Sequence, residues 1–346
     1  MFDYDLPSGR IAQRPAAHSS ARHDSKLLWA KKSIAGKLEF IKDEVYSSLP
    51  NILKPSDLLI FNNSKVIPTR FFFLLGKKEI EVLLLRNIKA NTWEALARPM
   101  KKLITGLEFE LSPLIKAKVV GRSEDLSRIL LNLSSAVNII QAIKETGSMP
   151  IPPYIRAGKS DLLDREQYQT EYAEHEGSVA APTAGLHFSK ELIAGIREKG
   201  IEIDFVTLHV SQWSFSLAPE QGTQKVSEEY YKVSAESWER IQKARKEGRR
   251  VITVGTTCVR ALESRALLGD DVAEEFQASS LYIKSGFEFQ VVDAMITNFH
   301  QPNSTHLALV GTFFGGLEIE EVYQHALREE YRFLSYGDGC FLERKL

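Results

Sequence analysis

The chain has 346 residues, 43% of them hydrophobic and 26% charged, the make-up of a globular protein long enough for two domains. A net charge of −1 excludes a protein that coats nucleic acid through bulk charge, while leaving a local basic patch open. No run of 18 apolar residues occurs, and the opening Met1-Phe2-Asp3-Tyr4-Asp5-Leu6-Pro7 is acidic with no apolar core, so no transmembrane helix or signal peptide is expected and a cytoplasmic enzyme is.

Asp57-Leu58-Leu59-Ile60-Phe61 reads as a buried strand ended by Asn62-Asn63. From 71 the period shortens. Phe71–Leu75, Glu79–Arg86, Thr92–Leu96, Leu107–Leu111, Lys116–Val120 and Arg128–Leu133 read as successive strands with Gly or Pro between them, which suggests a small antiparallel barrel or sandwich. Lys65, Arg70, Lys77, Lys78, Arg86, Arg98, Lys101 and Lys102 give the 65–102 stretch a positive surplus beside Phe71–Phe73 and Trp93, although charges on strands also simply solvate an outer face. Three prolines within 147–156 predict a stiff linker out of that unit.

Helices and strands then alternate. Helices are expected at Leu192–Lys199, Ala235–Glu247, Thr256–Leu267 and around 305–315 and 319–331; strands at Ile201–Val210, Val251–Val254, Leu281–Ile283 and Phe289–Val292. The expectation is an α/β main domain, 1–70 plus 151–346, with an inserted, mostly antiparallel β-barrel-like domain over 71–150. Cys258 and Cys340 have no metal-ligand spacing and make no disulfide framework.

Four stretches carry candidate chemistry. Gly177-Ser178-Val179-Ala180-Ala181-Pro182-Thr183-Ala184-Gly185-Leu186-His187-Phe188 is uncharged and rich in small residues. It lets backbone approach a ligand, with Gly185 free to take a positive φ, and delivers His187 just before a helix start at Ser189. Val251-Ile252-Thr253-Val254-Gly255-Thr256-Thr257 runs strand, glycine turn, hydroxyl pair, helix: either an anion site at a helix start or a helix capped by Thr256 or Thr257. It is neither a P-loop nor a dinucleotide fingerprint. Strands ending in His209 and in Asn298-Phe299-His300 put those side chains where ligands of open α/β sheets collect. No spacing supports zinc.

Several blocks then point one way. Phe2–Pro7, Ile11–Gln13, Asp57–Arg70, Met149–Arg156, Tyr168-Gln169-Thr170, 177–188, Thr207–Val210, Gly248–Glu263, Val291–His300 and Tyr331–Asp338 resemble, in order and over nearly the whole chain, the QueA family of S-adenosylmethionine:tRNA ribosyltransferase-isomerases of queuosine synthesis. The resemblance implies transfer and isomerisation of the ribosyl part of S-adenosylmethionine onto 7-aminomethyl-7-deazaguanine at the tRNA wobble position, giving epoxyqueuosine, adenine and methionine. S-adenosylmethionine is then a co-substrate, no metal is required, the partner is the tRNA anticodon loop and a monomer is expected. On that reading His187, His209 and His300 form the acid–base pool. Thr183, Gly185, Thr256, Thr257 and Asn298 bind the co-substrate, Tyr168 and Gln169 face it or the base, and Arg70, Arg98 and Arg156 meet phosphates.

The chain departs from the family in one region. After Thr207–Val210, where the family has Gly-Ala-Gly-Thr-Phe, it reads Ser211-Gln212-Trp213-Ser214-Phe215; Gln224–Glu229 keeps only Glu229 of a His-x-x-His-x-Glu motif; and Lys284-Ser285-Gly286 replaces Tyr-Pro-Gly. Two further readings follow: a paralogue using S-adenosylmethionine on another acceptor, and a catalytically silent RNA- or nucleotide-binding member.

Overall fold

The computed structural model describes residues 3–16, 19–210, 228–269 and 275–344. In chain order the strands are β1 (Lys26–Lys32), β2 (Leu38–Val45), β3 (Leu58–Asn62), β4 (Ser64–Val66), β5 (Arg70–Leu75), β6 (Lys78–Lys89), β7 (Thr92–Arg98), β8 (Glu108–Ser112), β9 (Ile115–Arg122), β10 (Ile129–Ser134), β11 (His175–Ser178), β12 (Glu202–His209), β13 (Glu229–Lys232), β14 (Val251–Val254), β15 (Gln277–Ser279), β16 (Ala294–Asn298) and β17 (Gly339–Glu343). The helices are α1 (Leu49–Ile52), α2 (Ile139–Thr146), α3 (Asp164–Gln167), α4 (Lys190–Glu198), α5 (Ala235–Lys246), α6 (Thr256–Leu267), α7 (Thr305–Phe314) and α8 (Gly316–Arg328). They fall into two compact units, Met1–Lys65 with Gln169–His175 and Ala181–Leu346, and Val66–Tyr168 with Glu176–Ala180.

The first unit is α/β. Its nine-stranded mixed sheet has the order β15-β13-β12-β3-β14-β16-β17-β1-β2. The centre, β12-β3-β14-β16, is parallel, and β16–β17, β1–β2, β12–β13 and β13–β15 are antiparallel. Every residue of β3 and β14 is buried, as apolar strands covered on both faces must be. One face packs Leu59, Phe61, Ile252, Val254, Ala294 and Ile296 against Leu49, Phe188, Leu192 and Ile196 from α1, α4 and the turn before α4. Side chains alternate along a strand, so Ile60, Asn62, Met295 and Thr297 point to the opposite face.

The second unit is a six-stranded antiparallel sheet, β5-β6-β7-β10-β9-β8, whose strands fall where the sequence places them. Buried and exposed residues alternate along β9 and β10, so one face forms a core from Val82, Leu84, Val119, Leu131 and Leu133. The edge strands curl together until Phe73 of β5 stacks on Phe109 of β8, centroids 4.6 Å apart, which makes the sheet barrel-like. Helix α2, capped by Asn138 Oδ1 on the Ile140 and Gln141 N–H groups, adds Ala142 and Ile143 to that core.

Two local expectations are corrected. The proline-rich 147–156 stretch is not a free linker, because the buried Arg70 Nη1 donates to the Ile151 and Gly158 carbonyls, both at 2.7 Å, and Ser148 bridges to Arg70. Leu281–Ile283 and Phe289–Val292 form no strands. The N–H groups of Gln290, Val291 and Val292, which a ladder would use, donate instead to the buried carboxylate of Glu263 on α6, at 2.8–3.0 Å.

Candidate active site

Four parallel strands of the α/β unit end on one edge of the sheet: β3 at Asn62, β12 at His209, β14 before Gly255 and β16 at Asn298. At such an edge the ladder no longer occupies the polar groups, and ligands of α/β sheets bind there.

Asn62 ties the edge together. Its amide donates to the Leu208 carbonyl (3.0 Å) and to Thr257 Oγ1 (3.3 Å), and its oxygen accepts from the N–H groups of Leu208 (3.0 Å) and Ser64 (3.1 Å). Asn63 Oδ1 accepts from Thr207 Oγ1 at 2.7 Å. Helix α6 starts behind Gly255, whose φ of 95° is left-handed, and no side chain caps it. Of the two readings of the Thr256-Thr257 pair, the hydroxyl cap is therefore not realised, and the positive end of the helix dipole faces the strand edge.

The small-residue segment closes the edge from the α4 face. Gly185 N–H donates to the Pro182 carbonyl at 2.9 Å. A Cβ on Gly185 would lie 1.9 Å from Tyr172 Oη, and Gly185 is not among the positive-φ residues, so glycine is needed here for space and not, as the sequence suggests, for a left-handed φ. Thr183 Oγ1 donates to Asn298 Oδ1 at 2.8 Å, and Asn298 Nδ2 lies 3.5 Å from His187 Nε2. His187 stacks on Tyr46 with centroids 4.1 Å apart, and a backbone hydrogen bond to Arg22 also holds it. Burial, then the Arg332 charge, lowers its pKa to about 3, so the imidazole is neutral at physiological pH.

The other two histidines stand apart from this cluster. His209 stacks on Phe276 at 5.0 Å with its Nδ1 buried and unpartnered, and burial, then His175, lowers its pKa to about 4. His300 lies beyond β16 on the side of Thr297, whose Oγ1 is 3.0 Å from its Nε2, and stacks on His306 of α7 at 5.1 Å. Thr297 and Asn298 are consecutive in a strand and face opposite ways. His187 and His300 therefore sit on opposite faces of the sheet.

Of the residues proposed for RNA, Arg70 is 3% exposed, with Nη1 spent on backbone carbonyls and Nε 3.1 Å from Glu81. Arg156 is half-buried and paired with Asp164. Tyr168 is buried inside the β unit, and Gln169, in the α/β unit, accepts at its carbonyl from Arg22. Arg98 is exposed, as are Lys101 and Lys102. Sequence reasoning missed Asn62, Tyr46 and Tyr172. The Asn-Asn pair gave a signal but reads as a turn, and the two tyrosines lie outside every motif considered. Residues 211–215 and 224–227, where the chain departs from the family, lie outside the described residues; Glu229 is buried and paired with Arg260.

A family described as queuosine biosynthesis protein matches residues 1–342. The chain belongs to this family. It is 40% identical over 348 residues to the S-adenosylmethionine:tRNA ribosyltransferase-isomerase of Aquifex aeolicus, covering 99% of this chain and 98% of that one, and 39% identical over 356 residues, with the same coverage, to the enzyme of that name from Maricaulis maris. The crystal structure of an S-adenosylmethionine tRNA ribosyltransferase from Thermotoga maritima aligns over 99% of both chains with a TM-score of 0.55 and 31% identity. The chain is thus a member of an enzyme family whose curated relatives are named transferase-isomerases. No described helix is long and apolar enough to cross a membrane.

Proposed function

We propose that this enzyme transfers and isomerises the ribosyl moiety of S-adenosylmethionine onto 7-aminomethyl-7-deazaguanine at the tRNA wobble position, releasing adenine and methionine. The observation that carries the reading is full-length similarity to enzymes named S-adenosylmethionine:tRNA ribosyltransferase-isomerase, extending through the segments that build the strand edge.

The residues at that edge suit S-adenosylmethionine. Tyr46 Oη, Tyr172 Oη, Thr170 Oγ1, Ser64 Oγ and His209 Nδ1 are buried polar atoms without a partner, and Tyr46 and Tyr172 pack on the aromatic rings of Phe188 and Phe61. A nucleoside has a flat apolar ring system and several hydroxyl and ring-nitrogen groups, and so matches both. The chemistry needs a proton removed next to a sulfonium. His187, a neutral imidazole with Nε2 toward the Asn298 amide, is the candidate base. Thr183 fixes that amide, and Thr256 and Thr257 at the uncapped start of α6 orient polar groups of the co-substrate. Arg98 and Lys101 on the β unit supply RNA phosphate contacts.

The test is incubation with labelled S-adenosylmethionine and tRNA carrying the aminomethyl-deazaguanine. Adenine release with label on tRNA is the expected result. Adenine release without tRNA labelling would favour the paralogue, and binding without turnover the silent member.

A further inference from the structure

Arg260 of α6 is a largely buried cation with most of its donors unused. Its side chain is 12% exposed, and Nη1 donates to Glu229 of β13, a buried carboxylate. Nε and Nη2 are buried and meet no acceptor. In a guanidinium these two N–H groups run side by side and form the edge that takes both oxygens of a carboxylate. Leaving a charged donor pair desolvated and unmatched is costly, a cost that an anion meeting both N–H groups would remove.

The surroundings say which anion. Arg260 follows Thr256 by four residues and Thr257 by three, so it lies on the same strip of α6, one turn below the strand edge. His306 of α7 is close enough to feel the charges of both Glu229 and Arg260, and its ring, stacked on His300, is kept neutral by burial, with a lone pair to offer an ammonium group. A carboxylate clamp beside a neutral acceptor suits an α-amino acid.

We infer that the Nε–Nη2 edge of Arg260 binds the α-carboxylate of the amino-acid tail of S-adenosylmethionine, with His306 beside the tail's ammonium group. The inference rests on the co-substrate proposed above and assigns its tail to the α6–α7 face, while the His187 cluster lies on the other.

Equilibrium binding of S-adenosylmethionine and of its decarboxylated analogue to the full-length protein tests this. The wild type is expected to prefer the carboxylated ligand by about tenfold or more, the effect of a charge-assisted bidentate contact. Arg260→Lys keeps a cation against Glu229 but loses the fork, and Arg260→Gln with Glu229→Gln removes both charges together should the single variant fail to fold. In either the preference should vanish while affinity for the analogue holds. Persistence of the preference, equal weakening of both ligands, or a loss confined to tRNA binding would overturn the assignment. If the wild type binds both ligands alike, the assignment alone fails. If it binds neither, the co-substrate reading fails and takes the assignment with it.

Discussion

The two ends of the large sheet bury polar groups in opposite ways. At the amino ends of β3 and β14, Arg250 donates Nε and Nη2 to Asp57 at 2.8 and 2.6 Å and Nη1 to Glu343. Asp57 also accepts the Lys54 N–H at 2.7 Å, and Asp293 accepts the Val251 N–H at 2.8 Å. Full charges meet full charges there, on three strands at once. At the carboxyl ends, apart from the Arg332 charge near His187 and the Arg260–Glu229 pair, the groups are neutral amides, hydroxyls and imidazoles, and Tyr46 Oη, Tyr172 Oη and His209 Nδ1 have no partner. An unmatched buried polar atom costs about 1–3 kcal/mol, a cost that a bound ligand removes. One end holds the sheet in register, and the other keeps hydrogen-bonding capacity in reserve.

The sharpest way to break this contrast is to alter one end and find the other's property changed. His187→Ala should lower kcat by about a hundredfold or more, as loss of an acid–base group does, and leave the cooperative unfolding transition in place. Turnover within about tenfold of wild type would remove His187 from the role of base. Asp57→Ala should do the reverse, costing about 3 kcal/mol of stability by stranding Arg250, with kcat per folded molecule unchanged. Denaturant unfolding and single-turnover kinetics on the same preparations separate the two effects.

What the sequence made legible follows the same division. The six strands of the β unit were visible because apolar residues alternate along them, and the buried strand before Asn62 because its run is continuously apolar. Phe289–Val292 misled, since three N–H groups find the Glu263 carboxylate 27 to 29 residues away, a long-range pairing that periodicity does not encode. The three histidines at element ends were visible singly. Their separation depends on strand parity and on which helix covers each face, so Asn298 and Thr297, adjacent in sequence, send His187 and His300 to different sides. Asn62 and Tyr46 were out of reach because their roles exist only once β12 and the His187 turn are packed against them.

Titration tests the carboxyl end again, with a smaller expected effect. His187, at about 3, and His209 and His306, at about 4, protonate in the folded chain far below the ordinary value of about 6.5 that they regain on unfolding. Between those limits the unfolded chain binds more protons, so stability should fall as pH drops from about 6.5 toward 4. Glu263 and Asp293, raised by burial, act in the opposite direction but start from the lower range of a carboxylate. The stability difference between pH 7.5 and 5.5 should therefore shrink in His187→Gln; an unchanged difference would mean that His187 is not held neutral.

The smallest effect belongs to a region outside either end. Arg98 and Lys101 are exposed on the β unit, where a charge contributes little to folding and acts on a polyanion mainly through displaced counterions. Arg98→Glu or Lys101→Glu should weaken tRNA binding by about three- to tenfold at low salt, with the loss fading as salt rises. Affinity for S-adenosylmethionine should stay at the wild-type value, because that ligand is assigned to the strand edge of the α/β unit. The pattern to look for is a raised KM for tRNA with kcat intact, the opposite of His187→Ala. Unchanged tRNA affinity at low salt would remove these two residues from the RNA surface, and a parallel loss of S-adenosylmethionine binding would show that the two surfaces are not separable.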